Sequence, residues 1–181
     1  MSRLRPAPEL EVSVWLNSPQ PITLQGLAGK VVLIEAFQML CPGCVEHGLP
    51  QASRVRATFS ASEVAVLGLH SVFEHHEAQG SEAALKAFLH EYRIGFPVGI
   101  DQQNGSGQLP RTMAAYRMQG TPTLILIDRF GRLRAQHFGH VSDLVLGAEI
   151  QLLIGEPLPA ATTAPLETGC TPEGCVVPAN H

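Results

Sequence analysis

No apolar run in these 181 residues is long enough to cross a bilayer. The longest, Val31–Ile34 and Val64–Leu69, fall far short of the roughly 20 residues a spanning helix needs. Positive charge is also scarce. Twelve Lys and Arg against 16 Asp and Glu leave a formal charge of −4, so the chain has no electrostatic footprint for nucleic acid. Neither nucleic acid nor membrane is an expected partner. The opening Met1-Ser2-Arg3-Leu4-Arg5-Pro6 carries arginines with no apolar stretch behind them, so no signal peptide is expected. For a full-length chain the expected location is cytoplasmic. There is no internal repeat. Residues 156–178 contain no basic residue and five prolines, which marks them off as a Pro/Thr/Ala-rich tail rather than a second domain.

What is present describes a globular protein: 45% hydrophobic and 15% charged residues, in a chain long enough for one well-buried domain, expected over 1–155, with the tail over 156–181. Cysteine is sparse but organised. The four fall as two close pairs, Cys41 with Cys44 and Cys170 with Cys175. In a reducing compartment such pairs are more often catalytic or metal-binding than structural.

The run Val31-Val32-Leu33-Ile34-Glu35-Ala36-Phe37 reads as a buried strand, and Val45, Leu49, Ala52, Val55 and Phe59 then recur at helix spacing. Cys41-Pro42-Gly43-Cys44 therefore sits at a strand-to-helix junction with Cys41 at the helix N-terminus. There the unpaired N–H groups and the positive end of the helix dipole stabilise a thiolate. By itself the motif reads either as a redox dithiol or as half of a zinc site. Pro50 removes a helical donor and predicts an interruption between the first turn and the rest.

Around this centre the pattern predicts further elements. Glu11–Leu16 alternates as a half-buried strand, and Ile22-Thr23-Leu24 suggests a short returning one. Val64–His70 is a second buried strand, parallel to the first through a right-handed crossover. Residues 71–80 read as a polar loop. Ser81 caps a helix bearing Leu85, Phe88, Leu89 and Tyr92, and Phe96–Asp101 is extended. Asn104-Gly105-Ser106-Gly107 belongs to a loop, and Pro110 opens a short helix. Thr123–Ile127 is a third strong strand, turned at Asp128-Arg129-Phe130-Gly131 into an antiparallel return over Leu133–Phe138. Ser142-Asp143 caps a last helix whose inward face is read as Leu144, Val145, Ala148 and Leu152.

This order of elements, with Ala28-Gly29-Lys30-Val31-Val32-Leu33-Ile34, Cys41-Pro42-Gly43-Cys44 and Gly120-Thr121-Pro122-Thr123-Leu124-Ile125-Leu126-Ile127-Asp128, resembles the TlpA/ResA thioredoxin-like, peroxiredoxin-related redoxins over roughly residues 7–154. The resemblance implies an α/β thioredoxin fold. Its central mixed sheet is flanked by helices, with an N-terminal strand extension and an inserted helix-strand segment near 81–101. It also implies a cis peptide bond between Thr121 and Pro122, and an extended substrate segment held beside Pro42, Gly43, Thr121 and Pro122. Glu35 would then take the proton of Cys44. The implied activity is thiol–disulfide exchange with no cofactor: Cys41 attacks a disulfide and Cys44 resolves the mixed species. Partners would be protein disulfides or dithiols, or an upstream thiol reductant.

Two departures narrow the resemblance. Met39-Leu40 precede Cys41 and Gln38 stands where an aromatic is usual, so the surface beside the dithiol differs. The threonine that peroxiredoxins place three residues before the reactive cysteine is Gln38 here, which leaves antioxidant thiol peroxidase activity as the second reading. A third is copper delivery, which needs a histidine beside two thiolates; His47, His137 and His140 are the candidates, while His75 and His76 read as solvated. The tail cysteines Cys170 and Cys175 are read as a second redox pair relaying electrons to Cys41 and Cys44, as a local disulfide, or as half of a four-thiolate metal site.

Overall fold

The computed structural model describes residues 5–105 and 108–157. Most of the tail over 156–181 lies outside the described residues, and with it both Cys170 and Cys175. Six strands form one mixed sheet: β1 (Val12–Leu16), β2 (Val31–Phe37), β3 (Val64–His70), β4 (Val98–Asp101), β5 (Thr123–Ile127) and β6 (Leu133–Phe138), in spatial order β1-β4-β3-β2-β5-β6. β2, β3 and β4 run parallel to one another. The pairs β1–β4, β2–β5 and β5–β6 are antiparallel.

Every residue of β2 is buried, as its unbroken apolar run requires of a strand covered on both faces. Alternation divides it. Val31, Leu33 and Phe37 join a core layer with Leu49, Ala52, Leu85, Leu89, Leu146 and Ile150. Val32, Ile34 and Ala36 join the opposite layer with Met113, Tyr116 and Met118. The helices that cover the sheet are α1 (Leu49–Thr58), α2 (His76–Gln79), α3 (Glu82–Glu91), α4 (Arg111–Ala115) and α5 (Asp143–Gly155). Ser81 and Ser142 cap α3 and α5, accepting from Ala84 N and Val145 N at 3.1 and 3.3 Å. The hairpin between β5 and β6 turns at Gly131, whose φ of 73° suits glycine.

Four expectations are corrected. First, Ile22-Thr23-Leu24 forms no strand. Leu24 is buried, its N–H is taken by Glu9 Oε1 at 2.7 Å, and a single 3₁₀ turn follows at Gln25–Leu27. Second, residues 71–80 are not only loop, because they contain α2. Third, the interruption ahead of Pro50 is a widened turn: helical backbone runs on from residue 42, Cys44–Gly48 is π-helical, and α1 follows from Leu49 with Pro50 as its second residue. Fourth, α5 faces inward with Leu146, Ile150 and Leu153, while Leu144 (85% exposed), Val145, Ala148 and Leu152 (73% exposed) face outward. Apolar residues line both sides of this helix, so periodicity cannot choose its rotation. Polar ties do: Asp143 bonds Gln51 Nε2 at 2.7 Å and Arg54 Nε at 2.8 Å, and Glu149 bonds His137 of β6 at 2.8 Å.

Candidate active site

The dithiol stands at the C-terminal end of β2. The Cys41 carbonyl accepts from the N–H groups of both Cys44 and Val45 at 3.1 Å, which makes Cys41 the capping residue of the turn that follows. The Cys44 N–H also approaches Cys41 Sγ at 3.3 Å, so a backbone donor lies where negative charge on that sulfur would reside. Cys41 is half-buried and Cys44 fully buried; both are free thiols. Burial drives the Cys44 thiol far above its ordinary pKa, helped by a hydrogen bond with the Cys41 thiol. A backbone hydrogen bond from Gln38 and a side-chain bond from Thr121 work the other way without reversing the shift.

The loop before β5 closes the site. Its Thr121–Pro122 peptide is cis, and the Thr121 carbonyl lies 3.5 Å from Cys41 Sγ. Pro122 O accepts Gly139 N at 2.9 Å, so the end of β6 is tied to this loop. Two apolar side chains are exposed near it, Leu40 just before Cys41 and Phe138 packed over Gly120; each is 56% exposed.

Glu35 is the third member. Its place in β2 sends the side chain to the face that carries α1, and it is 1% exposed with no hydrogen-bond partner for Oε1. Burial raises its pKa from 4.5 to about 8, so it is largely neutral at pH 7. Gly48 makes its place possible. A Cβ there would overlap Glu35 Oε1 and come within 3.2 Å of Pro122 Cβ, yet the Gly48 backbone is ordinary helix (φ −60°, ψ −57°). This glycine supplies space rather than an unusual conformation. It was legible as a glycine inside an apolar helical pattern, but sequence reasoning passed over it. Gln79 was also passed over; its amide reaches the dithiol loop from α2.

The structure thus brings together Cys41, Cys44, Glu35, Thr121, Pro122 and Gly43, whose Cα faces the Pro122 ring. Pro42 is exposed at the start of the turn. The expected second redox pair, Cys170 and Cys175, lies outside the described residues. The histidines do not join the thiols as a cluster. His47 and His140 pair with each other, ring centroids 5.1 Å apart, and His137 is engaged by Glu149. Among the described residues no group of three or more His, Cys, Asp or Glu side chains is placed to hold a metal.

A second buried titratable group lies on β3. His70 is 2% exposed, packs 5.3 Å from the Phe37 ring, and has no partner for Nε2. Burial lowers its pKa from 6.5 to about 4. Stability linked to neutral His70 is complete above pH 6.5 and is lost as the pH falls towards 4, roughly 3 kcal/mol in all. Stability linked to neutral Glu35 is complete below 4.5 and is lost as the pH rises to about 8, roughly 5 kcal/mol. The two therefore pull in opposite directions. Denaturant unfolding of the reduced protein is expected to show that His70→Leu flattens the acid limb and Glu35→Gln the alkaline limb. Parallel pH curves for wild type and both variants would refute this.

Comparison with known proteins agrees with this geometry. The AhpC/TSA family model matches residues 4–136. A crystal structure of a thioredoxin-like superfamily protein superposes with a TM-score of 0.82 at 64% identity, covering 85% of this chain and 99% of that one. A thiol-disulfide isomerase from Corynebacterium glutamicum gives 0.79 at 47% identity, over 83% and 98%. Among curated proteins, DipZ of Mycobacterium tuberculosis is 28% identical over 97% of this chain, which spans a quarter of that protein's length. A dithiol capping a helix, facing a cis-proline loop on a mixed thioredoxin-like sheet, and a family match over most of the sequence lead to one assignment: this chain belongs to the AhpC/TSA family and has the thioredoxin-like fold.

Proposed function

We propose that the protein is a thiol–disulfide oxidoreductase that works on protein or small-molecule disulfides through Cys41 and Cys44. The observation that carries this is the asymmetry of the pair: one sulfur half-exposed at a helix start, the other sealed beneath it and held protonated. In the reducing direction the Cys41 thiolate attacks one sulfur of a partner disulfide. A Cys41–partner bond forms, the partner bond breaks, and the departing sulfur takes a proton. Cys44 then loses its proton, for which the ionised form of Glu35 is the acceptor, a minority at pH 7 that grows as the pH rises towards 8, and attacks Cys41 Sγ. The Cys41–Cys44 bond forms and the second partner thiolate leaves. The partner gains two electrons and two protons, and the dithiol loses them. The extended partner segment lies beside Pro42, Gly43, Thr121 and Pro122.

A cytoplasmic location would set this reducing direction. In the finer reading, the domain over 1–155 is served by the tail over 156–181: reduced Cys170 and Cys175 pass two electrons to oxidised Cys41–Cys44 and become a disulfide themselves. Equilibrating the full chain with glutathione tests both readings. Reversible oxidation of Cys41 and Cys44 and turnover of a protein disulfide are expected. A pair inert to glutathione, or peroxide consumption that outruns disulfide exchange, would overturn the oxidoreductase reading in favour of a peroxidase. Turnover unchanged when Cys170 and Cys175 are both replaced by serine would sink the relay alone.

A further inference from the structure

Large apolar side chains stand exposed on both flanks of the dithiol. Leu40 immediately precedes Cys41 and Phe138 ends β6; each is 56% exposed. Phe138 is held from the proline-loop side. It pairs with Thr123 across β5 and β6, and a Cβ on Gly120 would come within 3.0 Å of its ring, so the ring lies against the loop that carries Thr121 and Pro122. Leu40 is held from the opposite side by two buried amides, Gln38 and Gln79. Gln79 Oε1 accepts the Leu40 N–H at 3.1 Å, while Gln79 Nε2 donates to Gln38 Oε1 at 3.0 Å and to Glu74 O at 2.9 Å. Gln38 Oε1 also accepts Phe73 N at 3.3 Å, and the Gln38 carbonyl accepts Cys41 N at 3.2 Å. Turning Leu40 inward would break its N–H bond and leave Gln79 Oε1 buried without a partner, which is costlier than an exposed leucine. The amides therefore keep Leu40 outside, beside the attacking sulfur. The surface between the two side chains carries no charge: residues 39–45 and 118–127 contain no Asp, Glu, Lys, Arg or His.

We propose that Leu40 and Phe138 select the partner: a protein disulfide whose attacked cysteine lies in an extended, uncharged segment with apolar residues two places before and after it. Gln79 is the positioning residue that presents Leu40 to that segment. In an extended chain, residues two apart share one face and stand roughly 7 Å from each other. A cysteine directed at Cys41 therefore sends the side chains two places away on each side to the same surface, where Leu40 and Phe138 flank the sulfur. Apolar side chains in those places lose water against both. An acidic or basic one gives up hydration there and meets no opposite charge. The inference rests on the reading of Cys41 as attacker and names the class of disulfide it takes.

Its test uses the full reduced chain and short peptides, each with a single cysteine joined to a chromogenic aryl thiol. The peptides differ only in carrying Leu, Glu or Lys two places before and after that cysteine. The Cys41 thiolate attacks the peptide sulfur, the Cys41–peptide bond forms, and the aryl thiolate leaves with a colour change that times the step. Wild type is expected to favour the Leu peptide over both charged ones by about tenfold in kcat/KM, the scale of discrimination that apolar contacts give. Leu40→Asn and Phe138→Asn should each cut that preference to about threefold or less. Gln79→Leu should cut it too, although it removes no atom from the surface. If Gln79→Leu slows all three peptides alike and keeps the preference, Gln79 is only structural and its positioning role is overturned. Equal wild-type rates, a preference that survives Leu40→Asn and Phe138→Asn, or a Lys peptide as good as the Leu one would overturn the selecting surface. Release of aryl thiolate from none of the peptides by wild type would mean that the dithiol reading itself has failed.

Discussion

Cys41→Ser is expected to remove disulfide exchange down to the uncatalysed background, a loss on the order of a thousandfold or more, as when any covalent nucleophile is deleted. A serine hydroxyl does not ionise near neutral pH, so neither the Cys44 N–H at 3.3 Å nor the helix start has a thiolate to stabilise. The fold should be unaffected, because Cys41 is half-buried and a serine hydroxyl can take over its contacts with the Cys44 N–H at 3.3 Å and the Thr121 carbonyl at 3.5 Å. Cys44→Ser should fail differently: the first step proceeds, the second has no nucleophile, and the partner stays joined to Cys41. Mass spectrometry of reaction mixtures quenched with acid reads this directly. An adduct on Cys44 in Cys41→Ser, turning over at a wild-type rate, would reverse the assigned order. The structure argues against that order, since Cys44 is fully buried and its thiol strongly resists ionisation.

Gly48→Ala should destabilise the protein although it replaces a glycine within a helix. Ala normally gains roughly 0.5–1 kcal/mol over Gly within a helix, and Gly48 has helical angles that any residue adopts. Against that gain, the new Cβ collides with the Glu35 carboxyl and presses on Pro122. Overpacking of this kind costs about 1–3 kcal/mol, more where neighbours cannot yield. Glu35 is held inside a fully buried strand and cannot swing to solvent. The collision wins, and a net destabilisation of about 2 kcal/mol is expected, with slower resolution by Cys44 because its proton acceptor is displaced. Combining Gly48→Ala with Glu35→Ala relieves the clash, so the double variant should be more stable than the sum of the single effects predicts. Additive losses in chemical denaturation would show that the Gly48–Glu35 contact is not what makes this glycine necessary.

Much of the fold was legible because local and global signals agree along it. The apolar run over β2, the capping serines Ser81 and Ser142 and the turn at Asp128–Gly131 each dictate one structure. The dithiol, Glu35 and Thr121-Pro122 were legible as a set because the motif order fixes which strand ends meet. Cys170 and Cys175 were legible only as a spacing, with no strand or helix pattern around them to say what they face. What escaped was long-range or degenerate. The inward face of α5 is set by hydrogen bonds to Gln51, Arg54 and His137, since its own apolar residues fit either rotation. The π turn escaped because Pro50 reveals a missing donor but not how the preceding residues absorb it. Gln79 gave no signal at all: its partners Leu40 and Gln38 lie 39 and 41 residues earlier in the sequence and meet it only in the folded molecule.

The pairing of β2 with β5 joins Glu35 to Leu124 across a long separation, whereas β2 meets β3 through one short helical connection. Contacts so distant in sequence carry a larger loop-closure cost. During synthesis the two thiols of the dithiol also emerge well before the residues that face them. A chain released before residue 127 would carry a reactive cysteine pair with no Thr121 carbonyl beside it and no proline loop to frame a partner. The proposed exchange site therefore belongs to the closed sheet: the Thr121 carbonyl reaches Cys41 from the loop that leads into β5, so the N-terminal half holds the thiols without the surface that would frame a partner.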